Sequence, residues 1–166
     1  MDRPQKLFLV KFFIILAVGY LIVASNAVND AVILPFTHAI TSAASVALNA
    51  MGQPVKATGT VLSSPKFGVN VNNGCNGIEA MLILLASVAA FPASWKARLG
   101  GLALGAVIIQ SLNEVRIVSL WLLGAYHPSL FQVFHTAIWQ IVIILSTIGF
   151  FLFWSPKIAP RLANTP

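Results

Sequence analysis

The sequence predicts an all-α membrane protein with about four transmembrane helices, an external amphipathic helix and a small β-hairpin. Three observations predict it. Hydrophobic residues make up 58% of the 166-residue chain and charged residues only 8%. A soluble domain carries roughly 25% charge, so too few charges remain here for a water-facing surface. Apolar runs near the 20 residues that span a bilayer recur along the chain. The charges stand at the ends of those runs, where membrane topology places them. One integral membrane domain over 1–166 is expected.

The first run, 7–28, is too long for a signal-peptide core, and Lys11 near its end can snorkel. The second, 76–92, is shorter and qualifies with its ends included. The third, 99–123, qualifies despite Asn113, Glu114 and Arg116. The fourth, 130–154, qualifies despite Gln132, His135 and Gln140. With four spans, Arg3, Lys6 and Lys11, then Lys96 and Arg98, then Lys157 and Arg161 all fall on one side. The excess of Lys and Arg makes that side cytoplasmic, both termini included.

The opposite side holds 29–75 and the turn at 124–129, with only Lys56 and Lys66 as basic residues. Within 29–75, His38, Thr41, Ser42, Ser45 and Asn49 recur at helical spacing against Ile33, Phe36, Ile40, Ala44 and Leu48. That pattern predicts an amphipathic helix on the membrane surface. A fifth span over 31–50 is the rival reading, and it would put Lys96 and Arg98 outside, against the charge bias. Farther on, Phe67, Val69 and Val71 alternate with Gly68, Asn70 and Asn72, and Ser63 to Lys66 supplies a turn. A β-hairpin is expected between Pro54 and Asn73.

The net charge of +6 does not gather on a soluble face, so a nucleic-acid partner is not expected. Cys75 is the only cysteine, which excludes an intramolecular disulfide and a Cys-based metal cluster. Neither a metal nor a cofactor is expected.

Ionisable groups inside spans are costly and point to function. Cys75 lies 16 residues from Phe91, about 24 Å along a helix. Arg116 lies 17 residues beyond Leu99, about 26 Å up its span. His135 lies 19 residues from Trp154, about 28 Å up the last. All three therefore fall at one depth, near the outer face of a core about 30 Å thick. A thiol opening the second span meets unpaired N–H groups and the positive end of the dipole, which with Arg116 favours thiolate. His135 can move a proton near neutral pH, and Arg116 can hold a developing oxyanion. Nucleophile, general acid/base and anion stabiliser together suit acyl transfer.

Supporting groups are expected on the same faces. Gln110, Asn113, Glu114 and Arg116 fill one arc of the third span. Gln132, His135 and Trp139 share a face of the fourth. Cys75 and Glu79 share a face if the second helix begins at once. Each residue also has a structural reading: a lone Cys as a small buried hydrophobe, His135 as a bond between helices, Arg116 as a partner of Glu114 or Glu79.

Asn73-Gly74-Cys75-Asn76-Gly77-Ile78-Glu79, then Asn113-Glu114-Val115-Arg116-Ile117, then Phe134-His135 resemble the motifs of the exosortase/archaeosortase family in order and spacing. The resemblance covers roughly residues 50–154 and is closest to the short forms, such as type H. It implies a membrane-embedded cysteine transpeptidase of the cytoplasmic (inner) membrane, with its active site facing the periplasm or exterior. Its substrates would be membrane-anchored proteins bearing a C-terminal sorting signal, and its acceptor is unknown. Cys75 would attack the scissile carbonyl, Arg116 steady the oxyanion and His135 protonate the leaving amine. Asn76, Glu79, Asn113, Glu114, Gln132 and Trp139 would support the site or bind substrate. The alternative is a non-enzymatic assembly factor or scaffold of an envelope export complex, its polar groups binding a partner helix. A transporter fits less well, since the inner halves of the spans are nearly featureless.

Overall fold

A computed structural model describes residues 3–163, the side chains of 157–163 excepted. The side chains of Lys157 and Arg161 thus lie outside the described residues. The chain runs through α1 (Arg3–Val23), α2 (Asn26–Val28), a π-turn (Asn29–Ile33) and α3 (Leu34–Ala50). Strands β1 (Lys56–Thr58), β2 (Val61–Ser63) and β3 (Gly68–Asn70) follow, then α4 (Ile78–Ala90) and α5 (Trp95–Tyr126). The last segment is α6 (Pro128–Val133), a second π-turn (Phe134–Ile138) and α7 (Trp139–Ala163).

The predicted fold class holds: among the described residues, four helical stretches are long and apolar enough to cross a membrane, beside a small antiparallel sheet. Their membership differs from expectation. Asn26–Ala50 qualifies alongside Arg3–Val23, Trp95–Tyr126 and Pro128–Pro156, whereas α4 does not. With 13 residues, α4 reaches about 20 Å, some 10 Å short of a bilayer core. Both ends are cut by backbone chemistry. Gly77 takes φ +79° just before the first turn, and Pro92 disfavours helical geometry at Phe91. Irregular backbone at such depth is tolerated only where protein buries it, and Asn76 and Gly77, the two residues before α4, are buried.

The molecule has two layers joined by α5. At 32 residues, this helix is about 48 Å long and exceeds a bilayer core by more than three turns. Its first half packs with α4 and α7 around Leu84, Ile109, Ile143 and Phe150. Gly101 and Gly105 let these helices close up, since a Cβ there would fall 2.6 Å from Trp154 and 2.8 Å from Leu84 and Phe150. Small residues serve membrane helix packing in this way. Helix α1 lies along α4 on the other side. Phe8 stacks on Phe151, and Phe91 meets Phe151 and Trp154 edge-on. Hence the start of α1, the end of α4, the start of α5 and the far part of α7 share one end of the bundle. Arg3, Lys6, Lys96 and Arg98 belong to that end.

The second half of α5 carries the other layer. Ile117 and Trp121 join Ile40, Ala44 and Leu48 of α3 and Val55, Leu62 and Val71 of the sheet region. The expected hairpin is one half of a three-stranded meander, β1-β2-β3, with Ala57, Leu62 and Val69 in register. The turn at Ser63–Lys66 is as predicted, closed by Ser64 N–H donating to the Phe67 carbonyl at 3.1 Å.

Helix α3 corrects the amphipathic reading. Thr41 and Ser45, expected on the wet face, are buried with Thr37, while His38, Ser42 and Asn49 are exposed. The buried hydroxyls are satisfied: Thr37 and Thr41 donate to carbonyls four residues back, and Ser45 donates to the Val55 carbonyl at 2.9 Å. Asn49 adds a 2.7 Å bond to that carbonyl. Small hydroxyl residues can thus line a protein-facing stripe, and the sheet and α5 cover it.

Candidate active site

The far end of the bundle brings Cys75, Arg116 and His135 together from three separate elements. Cys75 Sγ lies 3.1 Å from His135 Nε2. Arg116 Nη2 faces the same sulfur at 3.7 Å, and Nη1 donates to the Gly74 carbonyl at 3.2 Å. The guanidinium therefore forks across the Cys75 loop, holding its backbone with one arm and its thiol with the other. Arg116 is 3% exposed, so its charge acts in poorly screened surroundings.

Cys75 precedes α4 by a turn instead of opening it, so Cys75 and Glu79 do not share a helical face as expected. Asn76 organises that turn. Its Nδ2 donates to Thr37 Oγ1 at 3.0 Å and Asn73 Oδ1 at 3.1 Å, and its Oδ1 accepts from the Ile78 N–H at 3.2 Å. Fully buried, Asn76 spends its side-chain amide on holding the loop. Asn113 is fully buried too and packs with Gln110 against Gly77. A Cβ on Gly77 would fall 2.9 Å from Gln110 Nε2, in a backbone region that disfavours L side chains. Gly77→Ala is expected to cost about 1–3 kcal/mol and to slow turnover by displacing Cys75; thermal melts in detergent and turnover rates check both.

The imidazole is held from the outer layer. Phe131 stacks on His135 with centroids 5.5 Å apart and planes at 8°. Phe131 meets Phe67 edge-on, and Phe67 meets Trp121. Gly124 makes room for Phe67, whose ring occupies the space a Cβ would take. The loop between β2 and β3 is thereby linked to the His135 ring.

Other expected residues divide. Glu79 lines a cavity beside Arg116, together with Tyr20 and Gln140. Glu114 is half-buried and makes no hydrogen bond or ion pair among the described residues, and Gln132 is exposed; neither joins the cluster. Trp139 lines an apolar groove with Leu122, Leu123 and Phe134 instead. The cause is the π-turn at Phe134–Ile138. One extra residue per turn puts i and i+5 on a common face, so Gln140 takes the place that α-helical spacing assigned to Trp139. Tyr20, Gly74, Phe131 and Gln140 were not expected here. The Phe131–His135 spacing of four, Gln140 as a polar residue inside a span and Gly74 inside the Cys75 motif were visible in the sequence; Tyr20 carried no signal.

Burial pushes the Cys75 thiol above its ordinary pKa; Arg116 opposes the shift and Glu79 adds to it. Burial thus works against the pull toward thiolate that the sequence suggests. The helix start that was to stabilise the anion lies three residues on, and desolvation outweighs the guanidinium. At 3.1 Å the Cys75 sulfur and His135 Nε2 are within hydrogen-bond reach of each other. Alkylation of Cys75 by iodoacetamide is expected to be slow at neutral pH and to rise above the usual cysteine range. Glu79→Gln should move that profile to lower pH and Arg116→Gln to higher pH; rates from intact mass check both directions.

The family model describing transmembrane exosortases matches residues 4–154. No curated protein and no solved structure matches the chain. The matched stretch takes in the Cys75 loop, Arg116 and His135 together with the helices that carry them, and the chain belongs to the transmembrane exosortase family.

Proposed function

We propose that this exosortase is a cysteine peptidase and transpeptidase that cleaves C-terminal sorting signals of membrane-anchored exported proteins and transfers them to a surface acceptor. The observation that carries the reading is the approach of His135 Nε2 and Arg116 Nη2 to one sulfur, at 3.1 Å and 3.7 Å. Cys75 Sγ attacks the scissile carbonyl carbon while His135 takes the thiol proton. The oxyanion develops beside Arg116. His135 returns the proton to the departing amine, and the substrate's N-terminal part remains as a thioacyl group on Cys75.

The site faces the periplasm or exterior of a cytoplasmic membrane. The charge bias supports this side: the basic residues gather at the bundle end opposite Cys75. A substrate held by its own helix diffuses in two dimensions and presents its motif at that depth. The test is the mass of a trapped adduct. Full-length protein in lipid nanodiscs receives a signal-bearing substrate without acceptor and is quenched in acid. Cys75 should carry the substrate's N-terminal fragment; an unmodified Cys75 throughout substrate consumption would overturn the proposal.

A further inference from the structure

The sheet leaves one edge open, and that edge leads to Cys75. Strand β3 pairs with β2 on one side only. The Ser64 N–H donates to the Phe67 carbonyl and the Val71 N–H to the Thr60 carbonyl, at 3.1 Å and 2.8 Å. Main-chain groups alternate between the two sides of a strand, so Phe67, Val69 and Val71 face β2 while Gly68 and Asn70 turn theirs outward. Among the described residues those outward groups have no hydrogen-bond partner, and both residues are exposed. Just beyond Asn70 the chain turns: the Cys75 N–H donates to the Asn72 carbonyl at 2.9 Å. A turn closed in this way brings its first and fourth Cα within about 7 Å, so Cys75 stands at the end of the open edge.

Unpaired edges template the addition of another strand, and proteins blunt them with charge, proline or cover. The opposite edge is blunted in this way. Strand β1 carries Lys56, Pro54 precedes it, and Ser45 and Asn49 of α3 occupy the Val55 carbonyl at its start. Between Gly68 and Asn72 there is neither charge nor proline. Free N–H and C=O groups along an edge are matched by an extended peptide, which supplies both at the same repeat. The polarity fits as well. The chain runs along β3, through the Cys75 turn and into α4 within the bundle. A substrate anchored by a helix beyond its cut site enters in the same sense.

We infer that the substrate binds as a fourth strand, its extended segment just upstream of the cut lying parallel to β3 and held by the outward main-chain groups of Gly68 and Asn70. The inference rests on the proposed cleavage of anchored substrates. Recognition of this kind reads main chain and leaves the side chains of alternate residues to set preference. A second copy of this chain is the competing occupant. The continuity of the edge with the Cys75 turn favours the substrate.

Backbone N-methylation tests the pairing. A synthetic signal-bearing substrate carries a single N-methyl group at each residue in turn upstream of the cut. Release of its C-terminal fragment by the full-length enzyme in nanodiscs is then followed. KM should rise about tenfold at every second position, the scale of a lost main-chain bond, with little change in between; kcat should move less. On the enzyme, Asn70→Pro removes an outward N–H without breaking the ladder to β2, a change that open edges tolerate. It should raise KM about tenfold over Asn70→Ala, which keeps the N–H, while iodoacetamide alkylates Cys75 at the same rate in both. A methylation profile without a period of two, or equal KM in the two variants, would overturn the inference. So would wild-type dimers that Asn70→Pro dissolves with KM unchanged. A wild type that releases no fragment refutes the peptidase reading itself, whereas release with a flat profile removes only the added strand.

Discussion

Cys75→Ala should reduce conversion of a signal-bearing substrate by about 10⁴-fold or more, the scale on which losing a nucleophile acts. Cys75→Ser should fall nearly as far. A serine hydroxyl is a far weaker nucleophile at neutral pH, and the 3.1 Å spacing to His135 Nε2 is set by a sulfur atom. Unfolding does not explain such a loss. Cys75 is only partly buried at the edge of the outer core, and its loop is held independently by Asn76 and by the Arg116 bond to Gly74. An immunoblot of the anchored precursor in cells, at matched enzyme levels, reads the outcome directly. A scaffold that merely binds partner helices predicts the reverse: Cys75→Ser would mature substrate normally, and the enzymatic reading would be lost.

How much of this was readable beforehand depends on which interactions are local. The depth argument rested on helix rise and span length, which are insensitive to side-chain detail, and it put Cys75, Arg116 and His135 at one level. Their distances agree with that placement. Register failed where the backbone departs from 3.6 residues per turn. The π-turn at Phe134–Ile138 exchanged Trp139 for Gln140, and Gly77 at φ +79° delayed α4 past Cys75. The late start of α4 has a sequence signature, since Asn76-Gly77 is a turn-forming pair, whereas the π-turn has no strong one. The wet face of α3 was misjudged for a related reason. Thr41 and Ser45 look solvated in a helical wheel, yet the strand region supplies acceptors and cover that no local pattern announces. The burial that raises the Cys75 pKa, unlike charge, cannot be counted along a sequence.

The second large prediction separates the imidazole from the backbone that carries it. His135→Ala should lower turnover by about 10²–10⁴-fold, the range expected for a lost general acid/base. Deleting Ala137, an exposed residue inside the π-turn, should convert the turn to regular α-helix. The extra residue is what a π-turn accommodates, so its loss leaves His135 and Gln140 four apart and again on one face. Helix α7 keeps its place, because Phe150 and Trp154 are seated on Gly105 and Gly101, and Phe131 keeps its contacts with His135 and Phe67. The deletion should therefore cost far less turnover than His135→Ala, and Cys75 should remain open to alkylation in both variants. A deletion as damaging as His135→Ala would show that the π-turn itself aims the imidazole, and near-normal turnover in His135→Ala would remove the ring from the mechanism.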